Sequence, residues 1–346
     1  MSSAILDICA FQRLEEYDRP LVNLAIRGTN LAVMVGHNQG DLDESDHLSV
    51  WNWKTGEKKC EKLHTPDYRM SLVFLREDIL LHASPLDLSL ELYHIPLSTG
   101  DCDPPLLERL GLPRLKKELE CDSTPIPRII FADNPAAVPS FTEPSNPKAT
   151  RLFTADNLSS ILPIEVMIVG GNGHWTLHLF IVHHHTLLGR ADLALSRRDT
   201  GQDSAPRSVR WEEWGPEVTR VFWYYEQYLS FLSAPCGSQL FMQRDNVIEV
   251  YDFGRAGLKN GQRPCTFGNQ GNDPACQSNW FQDGVHTKLP FVYQSFEGSI
   301  LGNVRDWNHM YVDQSGIVGI KRVRLSYSIS GLQVAEWNFL SAEWRD

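Results

Sequence analysis

Histidines are the residues with the most obvious capacity for chemistry in this sequence. The stretch HWTLHLFIVHHH spans residues 174 to 185, and alternation along a strand would place His174, His178 and His184 on one face. Three histidines can hold a zinc ion, but His178 and His184 would lie ~20 Å apart along one straight strand. The triplet at 183–185 fits an exposed turn at the strand end. We therefore predict no metal site and no bound cofactor.

Nucleophiles and paired carboxylates lack the surroundings that catalysis needs. The sequence has no G-x-S-x-G motif and no cysteine within a known protease signature. Glu212 and Glu213 lie between two tryptophans, but neighbouring residues of a strand point to opposite faces and cannot flank one bond. The glycine-rich run at 170–173 fits a hairpin turn, since it lacks the lysine and helix of a phosphate site. We therefore predict no catalytic residue.

Aromatic residues form the most distinctive cluster in the sequence. Large rings pack well between sheets, whereas tryptophan and tyrosine also concentrate in binding hot spots. Packing in the core is the favoured role, and an exposed partner-binding patch is the alternative. The candidate partner-binding residues are Trp211, Trp214, Trp223, Tyr224 and Tyr225. Trp51 and Trp53 precede a Lys-Thr-Gly turn, where we expect them to pack between neighbouring sheets.

Strand patterns dominate the elements that must position these side chains. Residues 30–36 and 48–57 are predicted to form one hairpin, and 71–75 and 79–83 a second. The phrases LSVWNW, LELYHI, LHLFIV and IEVYDF begin at Leu48, Leu90, Leu177 and Ile248, so their successive offsets are 42, 87 and 71 residues. The first offset matches a four-stranded propeller blade, and the second is close to two such periods. Blades stack radially because one sheet cannot bury both of its faces.

Irregular segments fill the space between these strands. Residues 132–150 and 195–208 are rich in loop-forming residues and are predicted to be surface loops. No amphipathic helix of more than about three turns is predicted. We expect a tail at 1–20 and a single propeller domain at 21–346, with residues 21–27 and 332–339 as candidates for closing the ring.

Composition limits the cellular compartment and the classes of partner that we expect. The 346 residues carry a formal net charge of −11, which disfavours nucleic acid as a partner. Seven scattered cysteines without a C-x-x-C motif argue against a disulfide framework or a cysteine-rich zinc module. The sequence shows neither a secretory signal nor a membrane-spanning apolar run. We predict a cytoplasmic or nuclear protein that contacts no membrane.

An ordered set of phrases resembles the C-terminal region of fungal F-box-like proteins, a region similar to a WD-repeat propeller. The phrases, in chain order, are WNWKTGE at 51–57, LELYHI at 90–95, WEEWGPEVTRVF at 211–222, NVIEVYDF at 246–253, KLPFVY at 288–293 and MYVDQSGIVGIKR at 310–322. The resemblance covers roughly residues 20 to 340. It implies substrate recognition for a cullin-type ubiquitin ligase.

The F-box is the part of that family pattern that this sequence does not match. Fewer than 30 residues precede the first predicted strand, too few for that helical module. Leu162-Pro163-Ile164-Glu165 matches the LPxE opening of an F-box, but the residues that follow alternate as in strands. The expected fold is therefore an all-β, WD-repeat-like single β-propeller of seven blades, or six, with long irregular loops. Its expected function is non-catalytic binding of a protein partner through loops at one face, and the missing F-box argues against binding the ligase adaptor. The alternatives are a propeller hydrolase that acts at the central channel and a pure scaffold without a link to the ligase.

Overall fold

The structure is a computed structural model, and most of the residues that it describes lie in β-strands. It describes residues 21–36, 46–64, 71–96, 103–116, 127–131, 160–169, 175–201, 205–225, 232–244, 246–254, 280–282, 285–297, 309–312, 317–324 and 335–342.

The first two sheets follow each other along the chain. The first comprises β1 (Leu21–Arg27), β2 (Asn30–Gly36), β3 (Asp46–Asn52) and β4 (Glu57–His64). The second comprises β5 (Leu72–Arg76), β6 (Ile79–Ser84), β7 (Ser89–His94) and β8 (Leu106–Gly111). Each is an antiparallel meander in which neighbouring strands are consecutive in sequence.

The third sheet is interrupted by an insertion between its last two strands. It begins with β9 (Arg128–Phe131), β10 (Ile161–Val169) and β11 (Trp175–His183). The insertion holds α1 (His184–Asp199), β12 (Arg207–Val209) and α2 (Trp211–Trp214), and β13 (Thr219–Tyr225) then pairs with β11. Strand β12 runs parallel to β8 and adds a fifth strand to the second sheet.

The last two sheets continue the same pattern. The fourth comprises β14 (Leu232–Cys236), β15 (Gln239–Arg244), β16 (Val247–Asp252) and β17 (Val292–Glu297). The fifth comprises β18 (His309–Val312), β19 (Ile317–Arg324) and β20 (Ala335–Ala342). Neither helix of the described chain is long and apolar enough to cross a bilayer.

Successive sheets stack face to face in chain order. Strand β1 contacts β5, β6 contacts β9, β10 contacts β14, and β14 contacts β18. Every residue of β6 is buried because this strand has a neighbouring sheet on both sides. Leu80 belongs to the core between the first and second sheets, whereas Leu81 belongs to the core between the second and third. The chain is thus an all-β, WD-repeat-like propeller fold whose sheets bury both faces by stacking.

Spacing along the sequence predicted the repeat but not its count. The phrases that begin at Leu48, Leu90, Leu177 and Ile248 fall in the third strands of the first four sheets. The 87-residue offset therefore spans one sheet boundary instead of two, because the third sheet carries long connections. The described strands form five sheets, and neither seven nor six blades is confirmed.

Helix α1 corrects two predictions of the sequence analysis. It has 16 residues, longer than the three turns expected, and its last turn lies in the segment 195–208 that was predicted to be a loop. Leu187, Ala191 and Ala194 are buried in the core between the second and third sheets. The half-buried Leu188 and Leu195 pack against the same core. Two of the five side chains of this apolar stripe are alanines, so the stripe is easily missed in the sequence.

Two further predictions concern strands. The LPxE-like run at 162–165 lies within β10, as its alternation indicated. Ring closure was predicted to involve 21–27 and 332–339, but within the described chain β1 pairs with β2 and β20 pairs with β19. No pairing joins β1 to β20 among those strands.

Candidate functional site

The tryptophans of α2 lie in the core. Trp211 is 6% exposed and Trp214 is 5% exposed. Their rings meet edge to face with centroids 5.3 Å apart, and the Trp211 ring meets Phe180 in the same way at 5.6 Å. The Trp214 indole N–H donates a 2.8 Å hydrogen bond to the carbonyl of Gly111 in the second sheet. This burial leaves little area of either indole for a partner.

Between these tryptophans the chain forms a helical turn, which corrects the strand predicted for Glu212 and Glu213. Both carboxylates are exposed, instead of one facing inward and one outward. The Glu213 side chain accepts from the backbone N–H of Arg210 at 3.4 Å and pairs with Arg207 at 3.1 Å. The backbone N–H of Glu213 in turn donates to the carbonyl of Arg210 at 3.1 Å, so amide groups at the start of α2 are satisfied. The two acids therefore have a local structural role.

The other three predicted aromatic residues are consecutive in β13. Trp223 is half-buried and lies opposite His178 in the register of β11 and β13. The backbone of Tyr224 and Tyr225 belongs to β13, but their side chains lie outside what the structure describes. Trp223 thus occupies a strand of the third sheet, separate from the helical turn that holds Trp211 and Trp214.

The histidines do not share a face as the sequence suggested. His178 lies in β11, whereas His184 begins α1, and His174 lies outside the described residues. His178 is 1% exposed, and burial lowers its pKa to about 3. Burial, with smaller effects of Arg27 and His185, lowers the pKa of His184 to about 4. His184 is buried, so the predicted exposed turn at 183–185 is wrong. No group of three or more histidine, cysteine, aspartate or glutamate side chains in the described chain is placed to hold a metal ion.

A buried polar network in the second sheet has strongly perturbed ionisable groups. Glu91 accepts from Tyr93 Oη at 2.6 Å and from Arg109 Nη2 at 2.7 Å, and His82 Nδ1 lies 3.1 Å from it. Lys62 Nζ of the first sheet donates to Tyr93 Oη at 2.7 Å. Burial opposes the charge on Glu91, but the bonds from His82, Tyr93 and Arg109 outweigh it and hold the pKa of Glu91 well below its usual range.

This network is suited to holding strands together. Burial and the charge of Glu91 raise the pKa of the Tyr93 phenol, so the phenol stays protonated. A carboxylate that is so reluctant to accept a proton is a poor general base at neutral pH. The network therefore ties β4, β6, β7 and β8 together and offers no acid–base pair.

The turn that follows β3 presents an exposed indole at the edge of the first sheet. Trp53 is 48% exposed, which corrects the expectation that it packs between sheets. Its indole N–H donates to the carbonyl of Gly28 at 3.0 Å, and its backbone N–H donates to Thr29 at 3.1 Å. Strand β3 ends at Asn52, so Trp53 lies in the turn that follows, and it shares the side of the half-buried Ser49 and Trp51 and not that of the buried Leu48 and Val50.

Three turns from two sheets are joined at this point. Thr29 donates from both its backbone N–H and its hydroxyl to Glu77 Oε1, at 2.9 and 2.5 Å. The Asn30 side chain donates to the carbonyl of Glu77 at 2.6 Å. Gly28 has a φ of +60°, and a Cβ there would lie 2.6 to 2.8 Å from the carboxyl atoms of Glu77. Only glycine fits this turn without moving the carboxylate. We call Gly28, Thr29, Trp53, Lys54 and Glu77 the Trp53 ledge.

Both charge signs are present on the Trp53 ledge. The Lys54 ammonium lies over the Trp53 ring, 5.5 Å from its centroid. Hydrogen bonds from Thr29 hold the pKa of the Glu77 carboxyl below its usual range, with further help from Lys59 and Lys54. The ledge therefore combines an aromatic face, an ammonium and an ionised carboxylate on hydrogen-bonded turns. Such a surface can recognise a partner, and its Thr29 hydroxyl already donates to Glu77.

The sequence contained one signal for this ledge. Trp53 is followed at once by Lys-Thr-Gly, the residues of a turn, so its position outside the strand could have been inferred. The contribution of Glu77 could not, because it comes from the next sheet and depends on how the two sheets stack.

Comparison with known proteins adds little. No protein-family model and no curated protein matches the chain. Among solved structures, the crystal structure of RRP9 WD40 repeats matches with 9% sequence identity and a TM-score of 0.29. The match covers 92% of this chain and 79% of that chain. At this score the likeness carries no weight for function, and the fold is established by the sheets themselves.

Proposed function

We propose that this chain is a non-catalytic protein-interaction propeller that binds a partner protein through the Trp53 ledge. The observation that carries the proposal is the half-exposed indole of Trp53, fixed by hydrogen bonds to Gly28 and Thr29. Tryptophan is over-represented among residues that dominate binding energy. An exposed ring that is already ordered loses little entropy when a partner covers it.

The position of the ledge also supports recognition. It is built from turns that join the strands of two stacked sheets, and binding residues concentrate on loops positioned by a rigid scaffold. The Glu91 network and the core between the first two sheets lie in the strands behind those turns. A partner would therefore meet a surface that needs little rearrangement.

A link to ubiquitin transfer is the finer part of this proposal. It is supported only by the resemblance of the ordered phrases to fungal F-box-like proteins. The partner would then be a substrate marked for degradation. Co-precipitation with the adaptor of cullin-type ligases tests this part, and a lack of enrichment over an unrelated bait would exclude it while leaving partner binding unaffected.

The last part of the proposal concerns the cellular compartment and the domain boundaries. We assign residues 21–346 to one domain and 1–20 to a tail, in a cytoplasmic or nuclear protein with no nucleic-acid or membrane partner. The net charge of −11 supports the absence of a nucleic-acid partner.

Quantitative capture with the full chain tests the ledge. Proteins retained by wild type, Trp53→Ala and Leu193→Ala are compared by isotope-labelled mass spectrometry. Leu193 is an exposed apolar residue of α1 and serves as the matched control. We expect a specific protein to be retained by wild type and by Leu193→Ala, and to be lost with Trp53→Ala. Identical sets of retained proteins for all three baits would contradict the proposal.

A further inference from the structure

We propose that the Trp53 ledge recognises an arginine side chain in a basic segment of its partner. This inference rests on the proposed function, since it names the group that the same surface binds. Two groups of the surface already have hydrogen-bond partners, the indole N–H of Trp53 and Oε1 of Glu77, and they limit what a partner can contact.

The indole of Trp53 offers a partner only its ring face. Its N–H is engaged by the carbonyl of Gly28, so it is not available to a polar group of the partner. The ring face already attracts a cation, since the Lys54 ammonium lies 5.5 Å from the ring centroid. Cations are drawn to the negative face of an indole. The geometry therefore favours a positively charged group on this ring.

The carboxylate of Glu77 supplies the second half of the site. Gly28 connects the two groups, because its carbonyl binds the indole and its missing Cβ leaves room for the Glu77 carboxyl. Thr29 holds Oε1 through two hydrogen bonds, which fixes the direction of the carboxylate. Because both groups border Gly28, the inference requires that a guanidinium stacked on Trp53 also donate to this carboxylate.

Arginine fits these two contacts better than lysine. Its guanidinium is planar, stacks on aromatic faces and is less strongly hydrated than an ammonium. It also carries five donors in a fixed fork that suits a carboxylate. The net charge of −11 further favours the approach of a basic segment over that of an acidic one.

Lys54 is then an internal competitor for the ring. An arginine that stacks on Trp53 must displace the ammonium or share the face with it, and both compete for the same negative potential. Removing Lys54 should therefore strengthen binding of an arginine peptide. A purely apolar partner contact would not be strengthened in this selective way.

Calorimetry with three peptides on the full chain tests the inference. The probes are a flexible glycine–serine peptide that carries two arginines, the same peptide with two glutamines, and the same peptide with two lysines. We expect the arginine peptide to bind more tightly than the lysine peptide, and the glutamine peptide to show no heat of binding. Equal binding of the arginine and glutamine peptides would overturn the inference.

Substitutions locate the binding on the ledge. Trp53→Ala and Glu77→Gln should each weaken arginine-peptide binding roughly 3-fold or more, and Lys54→Ala should tighten it roughly 2- to 5-fold. Lys58→Ala, which removes the same charge from the same sheet, is the matched control and should not tighten binding. Equal tightening by Lys54→Ala and Lys58→Ala would reduce the effect to net charge and overturn the inference.

The two proposals fail in distinguishable ways. A captured protein that depends on Trp53, combined with an arginine peptide that does not bind, would leave the proposed function intact and remove only the arginine assignment. If neither the captured protein nor the arginine peptide required Trp53 for binding, both proposals would be removed.

Discussion

Arg190 of α1 and Glu108 of β8 form a two-point ion pair that fastens the insertion of the third sheet to the second sheet. Arg190 Nε lies 2.7 Å from Glu108 Oε2, and Nη2 lies 3.0 Å from Oε1. Glu108 is buried, whereas Arg190 keeps partial access to solvent. The helix is secured further where Asp192 meets Arg76 at 2.9 Å and Arg198 donates to the carbonyl of Leu106 at 2.6 Å. Charge pairing thus adds to the apolar packing of α1.

Removing Arg190 should be costly because it leaves a carboxylate buried without its main partner. We expect Arg190→Ala to lower the free energy of unfolding by about 3 kcal/mol in urea titrations. Arg197→Ala, in the same helix, should change it by less than about 0.5 kcal/mol. In the double variant Glu108→Leu with Arg190→Met, most of the stability should return because no buried charge remains. Equal costs for Arg190→Ala and Arg197→Ala would show that the pair contributes nothing.

Tryptophan substitutions should separate the core rings from the exposed ring. Trp211→Ala and Trp214→Ala should each lower the free energy of unfolding by roughly 3 to 5 kcal/mol, because a buried ring leaves a cavity. Trp53→Ala should cost about 1 kcal/mol, since the ring is half exposed and loses one hydrogen bond. Chemical denaturation of the three variants measures the difference. Similar costs at all three positions would contradict the placement of Trp53 on the surface.

Gly215 gives an independent check on the core position of Trp211. A Cβ at this residue would overlap the Trp211 ring, and its backbone φ of −75° is otherwise suitable for alanine. We expect Gly215→Ala to destabilise the fold by about 1 to 3 kcal/mol through overpacking. Gly189→Ala in α1, where a Cβ has open space, should be neutral or stabilising. Thermal melts of both variants measure the contrast.

His178 should make the fold sensitive to mild acid. Its pKa is about 3 in the folded chain and about 6.5 when unfolded, so the unfolded state binds more protons between these values. Stability should therefore fall as the pH drops below about 6.5, by roughly 2 kcal/mol from this residue between pH 7 and pH 5. His178→Leu should remove that part of the loss and raise stability at pH 7, because neither ring nitrogen of His178 has a hydrogen-bond partner.

The control for this prediction is His286→Leu, which changes an exposed ring. Urea titrations of wild type and both variants at pH 7 and pH 5 give the comparison. An unchanged acid loss in His178→Leu would show that His178 is not the group responsible.

Strand periodicity predicted the repeating part of the fold because alternation and turns are local properties. Comparison of short segments of sequence found the phrases that begin at Leu48, Leu90, Leu177 and Ile248. These phrases lie in the third strands of the first four sheets. The blade count could not be obtained in this way. One sheet carries an insertion of helices and an extra strand, and arithmetic on residue offsets cannot distinguish an insertion from a further repeat.

Helices and the ledge were harder to predict for a different reason. The segment from Trp211 to Trp214 was interpreted as part of a strand. The capping contact of Glu213 and the hydrogen bond from the Trp214 indole to the Gly111 carbonyl favour a helical turn instead. The Trp53 ledge depends on Glu77, which is far from Trp53 in sequence and meets Thr29 of the same ledge only because the two sheets stack. Tertiary contacts of this kind override local pattern.

Shared cores between neighbouring sheets predict that the chain unfolds as one unit. Leu80 packs between the first and second sheets, and Met242 packs between the third and fourth. The second and third sheets each contribute side chains to a core on both of their faces. Loss of one core should therefore weaken the others. We expect Leu80→Ala to cost about 2 to 5 kcal/mol and to reduce hydrogen-exchange protection equally in the first and fourth sheets. Leu193→Ala, on the exposed side of α1, should leave protection in both sheets unchanged. If protection fell only in the first two sheets, residues 21–346 would instead consist of parts that fold separately.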